Sequence, residues 1–93
     1  MSTRFEWDPR KAQRNRVKHR VSFDEAATIF GDLRGLMIHD PDHSLSEDRF
    51  ITVGRSSRNR ILTVAHTDRG DTIRIISARR ATAKEREQYA END

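Results

Sequence analysis

The chain of 93 residues contains no cysteine, so neither a disulfide bond nor a zinc site with thiolate ligands can form. Its first stretch, MSTRFEWDPR, has no apolar signal region, and no apolar run approaches the length of a membrane span. From these absences we expect a soluble cytoplasmic protein with no membrane contact. The length allows one small domain, which we place at residues 1–93.

Several patterns typical of enzymes and metal proteins are also missing. There is no GxSxG elbow, no Walker loop and no Rossmann glycine pattern, which argues against a nucleophilic serine or cysteine enzyme. His39 and His43 flank two acids, but neither HxH nor HExxH occurs. The acids of residues 40–48 offer oxygen ligands for magnesium, although acidic loops are usually solvated. We therefore expect neither a metal nor a cofactor.

Charge is distributed in patches along the chain. Residues 1–20 hold seven Lys/Arg against two acids, residues 21–48 hold seven acids against one arginine, and residues 49–60 hold four arginines and no acid. Basic patches attract polyanions and acidic patches attract basic partners. Arginine outnumbers lysine fifteen to three, which suits bidentate phosphate binding, although a GC-rich genome produces the same bias.

Local signals divide the chain into helices and strands. Asp8 and Pro9 begin a helix that should reach about His19, and capping boxes at Ser22 and Thr82 begin two more. The predicted helices are 9–19, 21–30 and 82–90, and the predicted strands are 4–7, 35–39, 49–56, 60–67 and 72–79.

Short turns at residues 57–59 and 68–71 require the strands that they connect to be antiparallel. The sequence thus predicts an α+β domain: an antiparallel sheet of about four to five strands, with two N-terminal helices and one C-terminal helix covering one face.

Two groups of polar residues are candidates for chemistry. Lys18 and His19 share a helix face with Lys11 and Asn15, and that face carries one titratable imidazole; a solvated helix face is the alternative.

The second group is cationic. Arg79 and Arg80 end the last strand just before a helix N-terminus, and Arg49 begins a neighbouring strand. Strand alternation sends Arg79 and Arg80 to opposite faces unless a bend brings both to one edge. The hypothesis is a phosphate site; the alternative is an arginine pair that is solvated or bridged to Glu85.

The whole chain resembles the BrnT toxins of bacterial type II toxin–antitoxin pairs. The resemblance rests on FEWDPRKAQRNRVKH, VSFDEAATIF, SEDRFITVG, ILTVAHTDRGD and IRIISARRATAKEREQY, in that order, over about residues 5–90. Arg20 and Asn59 stand at turn positions where the family commonly has glycine.

The resemblance implies a RelE-like fold and a ribonuclease that arrests translation. It also implies a BrnA-type antitoxin, and a toxin–antitoxin complex that binds its own operator DNA. We expect the antitoxin to cover the basic site or the sheet edge beside it.

Metal-free RNA cleavage needs a base, an acid and cations around the scissile phosphate. We assign His19 and Glu47 to proton transfer. Arg49, Arg79 and Arg80 would clamp the phosphate, and Lys18 would steer or clamp it.

Two other classes of function remain open from the residues alone. A non-catalytic nucleic-acid-binding module would use the same basic patches, and its binding would weaken steeply with salt. A protein-binding module would use the acidic segment 21–48 to meet a basic partner. Only the enzyme consumes RNA, so hydrolysis separates it from both alternatives.

Overall fold

The computed structural model describes residues 3–39 and 49–92. Along the chain run β1 (Arg4–Glu6), α1 (Pro9–His19), α2 (Phe23–Thr28), a 3₁₀ turn (Ile29–Gly31), β2 (Leu36–His39), β3 (Phe50–Arg55), β4 (Ile61–Arg69), β5 (Thr72–Arg80) and α3 (Ala83–Glu91). The α+β class predicted from the sequence is confirmed. Within these ranges, no helix has the length and apolar character needed to cross a membrane.

The helices begin at the residues whose side chains cap them. Asp8 accepts a hydrogen bond from the Arg10 backbone N–H, and Ser22 accepts one from the Glu25 N–H. Thr82 and Glu85 form the complete capping box predicted for α3. The second helix is shorter than predicted, because the chain tightens into the 3₁₀ turn at Ile29 before it reaches Gly31.

The five strands form one sheet in the order β1-β5-β4-β3-β2. Strands β2 to β5 are antiparallel to their neighbours, as predicted. Strand β1 is parallel to β5, with Arg4 opposite Thr72, so the prediction of a wholly antiparallel sheet is wrong at this edge. The two strands are far apart in sequence, and therefore no turn constrains their direction.

The β4–β5 hairpin is longer than predicted. Asp68 and Arg69 belong to β4, and Gly70 makes the tight turn in the left-handed conformation with φ of 59°. Arg20 and Asn59 are the two non-glycine residues with positive φ in the described chain, which confirms that both occupy turn positions.

Helices α1 and α2 cover one face of the sheet. The apolar core between them is formed by Val21, Phe23, Ala26, Ile29, Leu62, Val64, Ile75 and Ala78. Buried Asn15 fastens α1 to β5, because its amide donates to the Ala78 carbonyl and accepts from the Ala78 N–H. The same amide donates to the Val21 carbonyl and so also fixes the start of α2.

Helix α3 lies on the opposite face, so the prediction that all helices cover one face is wrong. Thr63 lies between the core residues Leu62 and Val64 and therefore points away from α1 and α2. Its hydroxyl donates to Glu85 of α3. Tyr89, at the other end of α3, joins a second small core with Val53 and Ala81.

Candidate functional site

The two cations at the end of β5 point to opposite faces of the sheet. Strand β5 continues to Arg80, with Arg79 opposite Thr63 and Arg80 opposite the core residue Leu62. The irregularity in the β4–β5 pairing lies upstream, between Ala65 and His66, and does not bring the two arginines together. Arg79 is on the α3 face and Arg80 is on the face of α1 and α2.

Arg79 is held in a fixed orientation by α3. Its Nη1 and Nη2 atoms donate to the two carboxylate oxygens of Glu85 at 2.7 and 2.9 Å. Glu85 also accepts from the Thr82 N–H at 2.8 Å and from Thr63 at 2.9 Å. The hydrogen bonds from Arg79, followed by those from Thr82 and Thr63, lower the pKa of Glu85 to about 2 against the opposing effect of burial.

The bridge to Glu85 is the alternative that the sequence left open for Arg79. It uses only part of the guanidinium, because Nε and one hydrogen of Nη2 have no acceptor within the described ranges. The Arg79 side chain is 41% exposed. It can therefore bind an oxyanion while it remains paired with Glu85.

Arg80, Lys18 and His19 belong to the opposite face. His19 is the last residue of α1 and lies one helical turn beyond Asn15, which contacts Ala78 of β5. Arg80 and Lys18 are exposed, and neither side chain has a partner in the described part of the chain. These three residues form the second part of the predicted site.

Arg49 directly precedes β3 on the side of the molecule away from the β3–β4 turn. Its Nε atom is buried without a hydrogen-bond partner among the described residues, and so is the Oγ1 atom of Thr67 in the adjacent strand. Thr63, opposite Arg79, and Thr67, beside Arg49, are four positions apart in β4, which corresponds to about 13 Å along the strand. Arg49 and Arg79 therefore do not form one clamp by backbone position alone. Glu47 lies outside the described residues.

A hydrogen-bonded histidine that the sequence did not single out for chemistry packs against the 3₁₀ turn that follows α2. His66 Nδ1 is 2.7 Å from the Asp68 carboxylate, and its Nε2 is 2.7 Å from the Thr52 hydroxyl. The ring is fully buried between Phe30 and Phe50. Burial lowers the pKa of His66, although Asp68 opposes this effect. Because the buried ring is out of reach of a substrate, the hydrogen bonds that join His66 to Asp68 and Thr52 stabilise the fold.

A buried ion pair fixes the β3–β4 turn. Arg60 donates from Nε and Nη2 to Glu25 of α2, and Ser56 donates to the same carboxylate at 2.7 Å. The hydrogen bonds from Arg60 are the main cause of the lowered pKa of Glu25. The capping box predicted at Ser22 is therefore only half formed: Ser22 accepts from the Glu25 N–H, but the Glu25 carboxylate binds Arg60 and Ser56 instead of the Ser22 N–H.

No group of three His, Cys, Asp or Glu side chains within residues 3–39 and 49–92 has the geometry of a metal site. The acids and His43 of residues 40–48, considered above for magnesium, lie outside the described residues.

Comparison with known proteins identifies the family. Residues 7–85 match the family described as "Ribonuclease toxin, BrnT, of type II toxin-antitoxin system". The crystal structure of the Brucella abortus ribonuclease toxin BrnT superposes with a TM-score of 0.64 at 23% identity, covering 87% of this chain and 99% of that one. No curated protein sequence matches the chain. The chain belongs to the BrnT family of ribonuclease toxins of type II toxin–antitoxin systems.

Proposed function

We propose that this protein is a metal-independent endoribonuclease that cleaves RNA through attack of a 2′-hydroxyl on the adjacent phosphate and thereby inhibits translation. The observation that supports this best is the orientation of Arg79. Its bidentate pairing with Glu85 fixes the guanidinium, and two N–H groups remain without an acceptor in the described chain. A cation that is already oriented stabilises developing phosphorane charge without reorganisation during the reaction.

In this mechanism His19 moves a proton, because imidazole changes protonation near neutral pH. Arg80 and Lys18 provide positive charge near α1, and Arg79 contacts the scissile phosphate. Because α1 and Arg79 lie on opposite faces of the sheet, one phosphate meets both His19 and Arg79 only where the RNA passes around the end of β5. Arg49 contributes positive charge at the start of β3. Glu47 is kept as the second proton-transfer residue. The product ends are a 2′,3′-cyclic phosphate and a 5′-hydroxyl.

The proposed partners are an RNA substrate, a BrnA-type antitoxin and, through the toxin–antitoxin complex, operator DNA. The proposed location is the bacterial cytoplasm. Antitoxin action is tested by adding the purified partner to the cleavage reaction: a BrnA-type protein should abolish cleavage at one equivalent. Persistent cleavage with a stable complex present would contradict neutralisation by covering the active site.

The central experiment is cleavage of a long RNA by antitoxin-free protein in EDTA. Wild-type protein should yield 2′,3′-cyclic phosphate ends, and Arg79→Ala should cleave about 10²-fold more slowly. His19→Ala should cleave about 10²–10⁴-fold more slowly.

A matched variant separates the chemistry of Arg79 from its structural role. Glu85→Gln also breaks the ion pair but keeps the guanidinium, so it should retain cleavage within about tenfold of wild type. Equal losses in Arg79→Ala and Glu85→Gln would show that the guanidinium contributes only while it is paired with Glu85. A wild-type rate in a folded Arg79→Ala variant would contradict the role of Arg79 altogether. Absence of cleavage by folded wild-type protein, both free and on ribosomes, would refute the enzymatic proposal.

A further inference from the structure

Two open cavities adjoin where α1 meets α2. The smaller one, about 360 Å³, is lined by Arg16, Arg20, Ser22 and Arg58. The larger one, about 600 Å³, is lined by both polar and apolar groups, and its aromatic residues are Trp7 and Phe23. Arg16 and Ser22 line both cavities, so a cationic cavity adjoins one with aromatic groups in its wall.

The backbone at Arg20 is unusual for an arginine. Arg20 caps α1 in the left-handed conformation, with φ of 58° and ψ of 34°. For a residue with a side chain this conformation costs roughly 1–2 kcal/mol, whereas glycine adopts it freely. The Arg20 guanidinium has no hydrogen bond or ion pair within the described ranges. The strained backbone caps α1 through the Arg20 N–H, which donates to the Arg16 carbonyl, and the guanidinium remains available to a ligand.

The charges around the smaller cavity do not cancel. Arg58 is 74% exposed, and its closest carboxylate is Glu25 at 3.9 Å. Glu25 is already bound by Arg60 through two nitrogens. Asp24 lines the larger cavity with Arg16. Among the described residues, three guanidinium groups and no carboxylate line the smaller cavity, so it attracts an anion.

We propose that these joined cavities bind one nucleotide of the RNA strand, with its phosphate among Arg16, Arg20 and Arg58 and its base against Trp7. The proposal rests on the proposed function only in taking RNA as the ligand. Cations that follow the backbone, combined with an aromatic surface for a base, are how proteins bind single strands without sequence readout. Arg79 lies on the opposite face of the sheet, so this site holds a different nucleotide from the one whose phosphate Arg79 contacts.

Trp7 is the single tryptophan of the chain, so its fluorescence reports directly on this site. The probe is a short 2′-O-methyl RNA, which lacks the nucleophile and cannot be cleaved. Wild-type protein should show saturable quenching of Trp7 that weakens with salt. Arg20→Gly should weaken binding about tenfold and reduce the salt slope by about one.

Glycine also relieves the left-handed strain, so Arg20→Gly should raise the melting temperature by a few degrees. A variant that is more stable and binds less well has not lost binding through misfolding. Arg14→Ala removes the same charge from α1 outside both cavities, and its affinity should stay within about twofold of wild type.

Unchanged Trp7 emission at saturating oligonucleotide, or equal affinity of Arg20→Gly and wild type, would overturn the site. Quenching by an acidic peptide but not by the RNA analogue would also overturn it, in favour of a protein ligand. Cleavage is measured separately with natural RNA. Loss of affinity in Arg20→Gly supports the site even where wild-type protein cleaves nothing, in which case only the proposed activity fails.

Discussion

Replacing Glu85 with glutamine tests how much of the fold depends on one ion pair. Glutamine keeps the side-chain oxygen that accepts from the Thr82 N–H and from Thr63, but it removes the negative charge that binds Arg79. We therefore expect Glu85→Gln to fold with the same helix cap and a lower free energy of unfolding at neutral pH.

The magnitude follows from the pKa of Glu85. A fall from 4.5 to about 2, at about 1.4 kcal/mol for each pH unit, sets a ceiling of about 3.5 kcal/mol. The Arg79 side chain is 41% exposed and that of Glu85 is 21% exposed, so solvent screens part of this energy. We expect a loss of about 1–2 kcal/mol at pH 7.

The pH dependence of stability separates the effect of the Glu85 charge from other effects of the substitution. The folded-state pKa of Glu85 is depressed, so its contribution is present above pH 4.5 and is lost as pH falls toward about 2. About two fifths of the contribution should remain at pH 3. Urea unfolding of both proteins at pH 7, 5, 4 and 3 measures the difference directly.

Glu87→Gln is the matched control, because it removes the same charge from an exposed position of α3. It should change the free energy of unfolding by less than about 0.5 kcal/mol. A loss in Glu85→Gln that stays constant from pH 7 to pH 3 would refute the electrostatic explanation and assign the loss to packing or to the cap.

Three further predictions concern buried polar groups. The pKa of His66 is lowered by burial, so stability should decline as pH falls below about 6.5; urea unfolding of His66→Gln between pH 7.5 and 5 should lack that slope. Asn15→Ala leaves the backbone N–H and carbonyl of Ala78 unpaired, so it should lower the free energy of unfolding in urea by about 3 kcal/mol. A loss below about 1 kcal/mol would contradict the role of Asn15 in fastening α1 to β5. Arg60→Met should lower the free energy of unfolding by about 3–5 kcal/mol, because it leaves the buried Glu25 carboxylate without its counter-ion. Adding Glu25→Gln to that variant should restore part of the lost stability.

The elements that were predicted correctly are those with local causes. Asp8, Ser22 and Thr82 each bond to backbone within three residues, so their short-range patterns determine where the helices begin. The hairpins joining β3, β4 and β5 are likewise set by turn residues such as Asn59 and Gly70.

The errors concern contacts between distant parts of the chain. Helix α3 lies on its face of the sheet because of contacts with Thr63 and Val53, and the direction of β1 is fixed by pairing with β5. The spacing of apolar residues within each element predicts neither contact. The candidate site depended on a bend that would bring Arg79 and Arg80 to one edge. Strand β5 instead continues to Arg80, and alternation separates the two arginines across the sheet.

The hydrogen bonds between Asn15 and Ala78 affect the order in which the chain folds during synthesis. The two residues are 63 positions apart, and the partners Arg4 and Thr72 in β1 and β5 are similarly distant. Contacts of such high sequence separation form late, because the intervening chain must first be made and its loop closed. The helix that carries His19 is therefore docked only when β5 has emerged. The proposed site, which combines α1 with the end of β5, is therefore assembled only after β5 has been made.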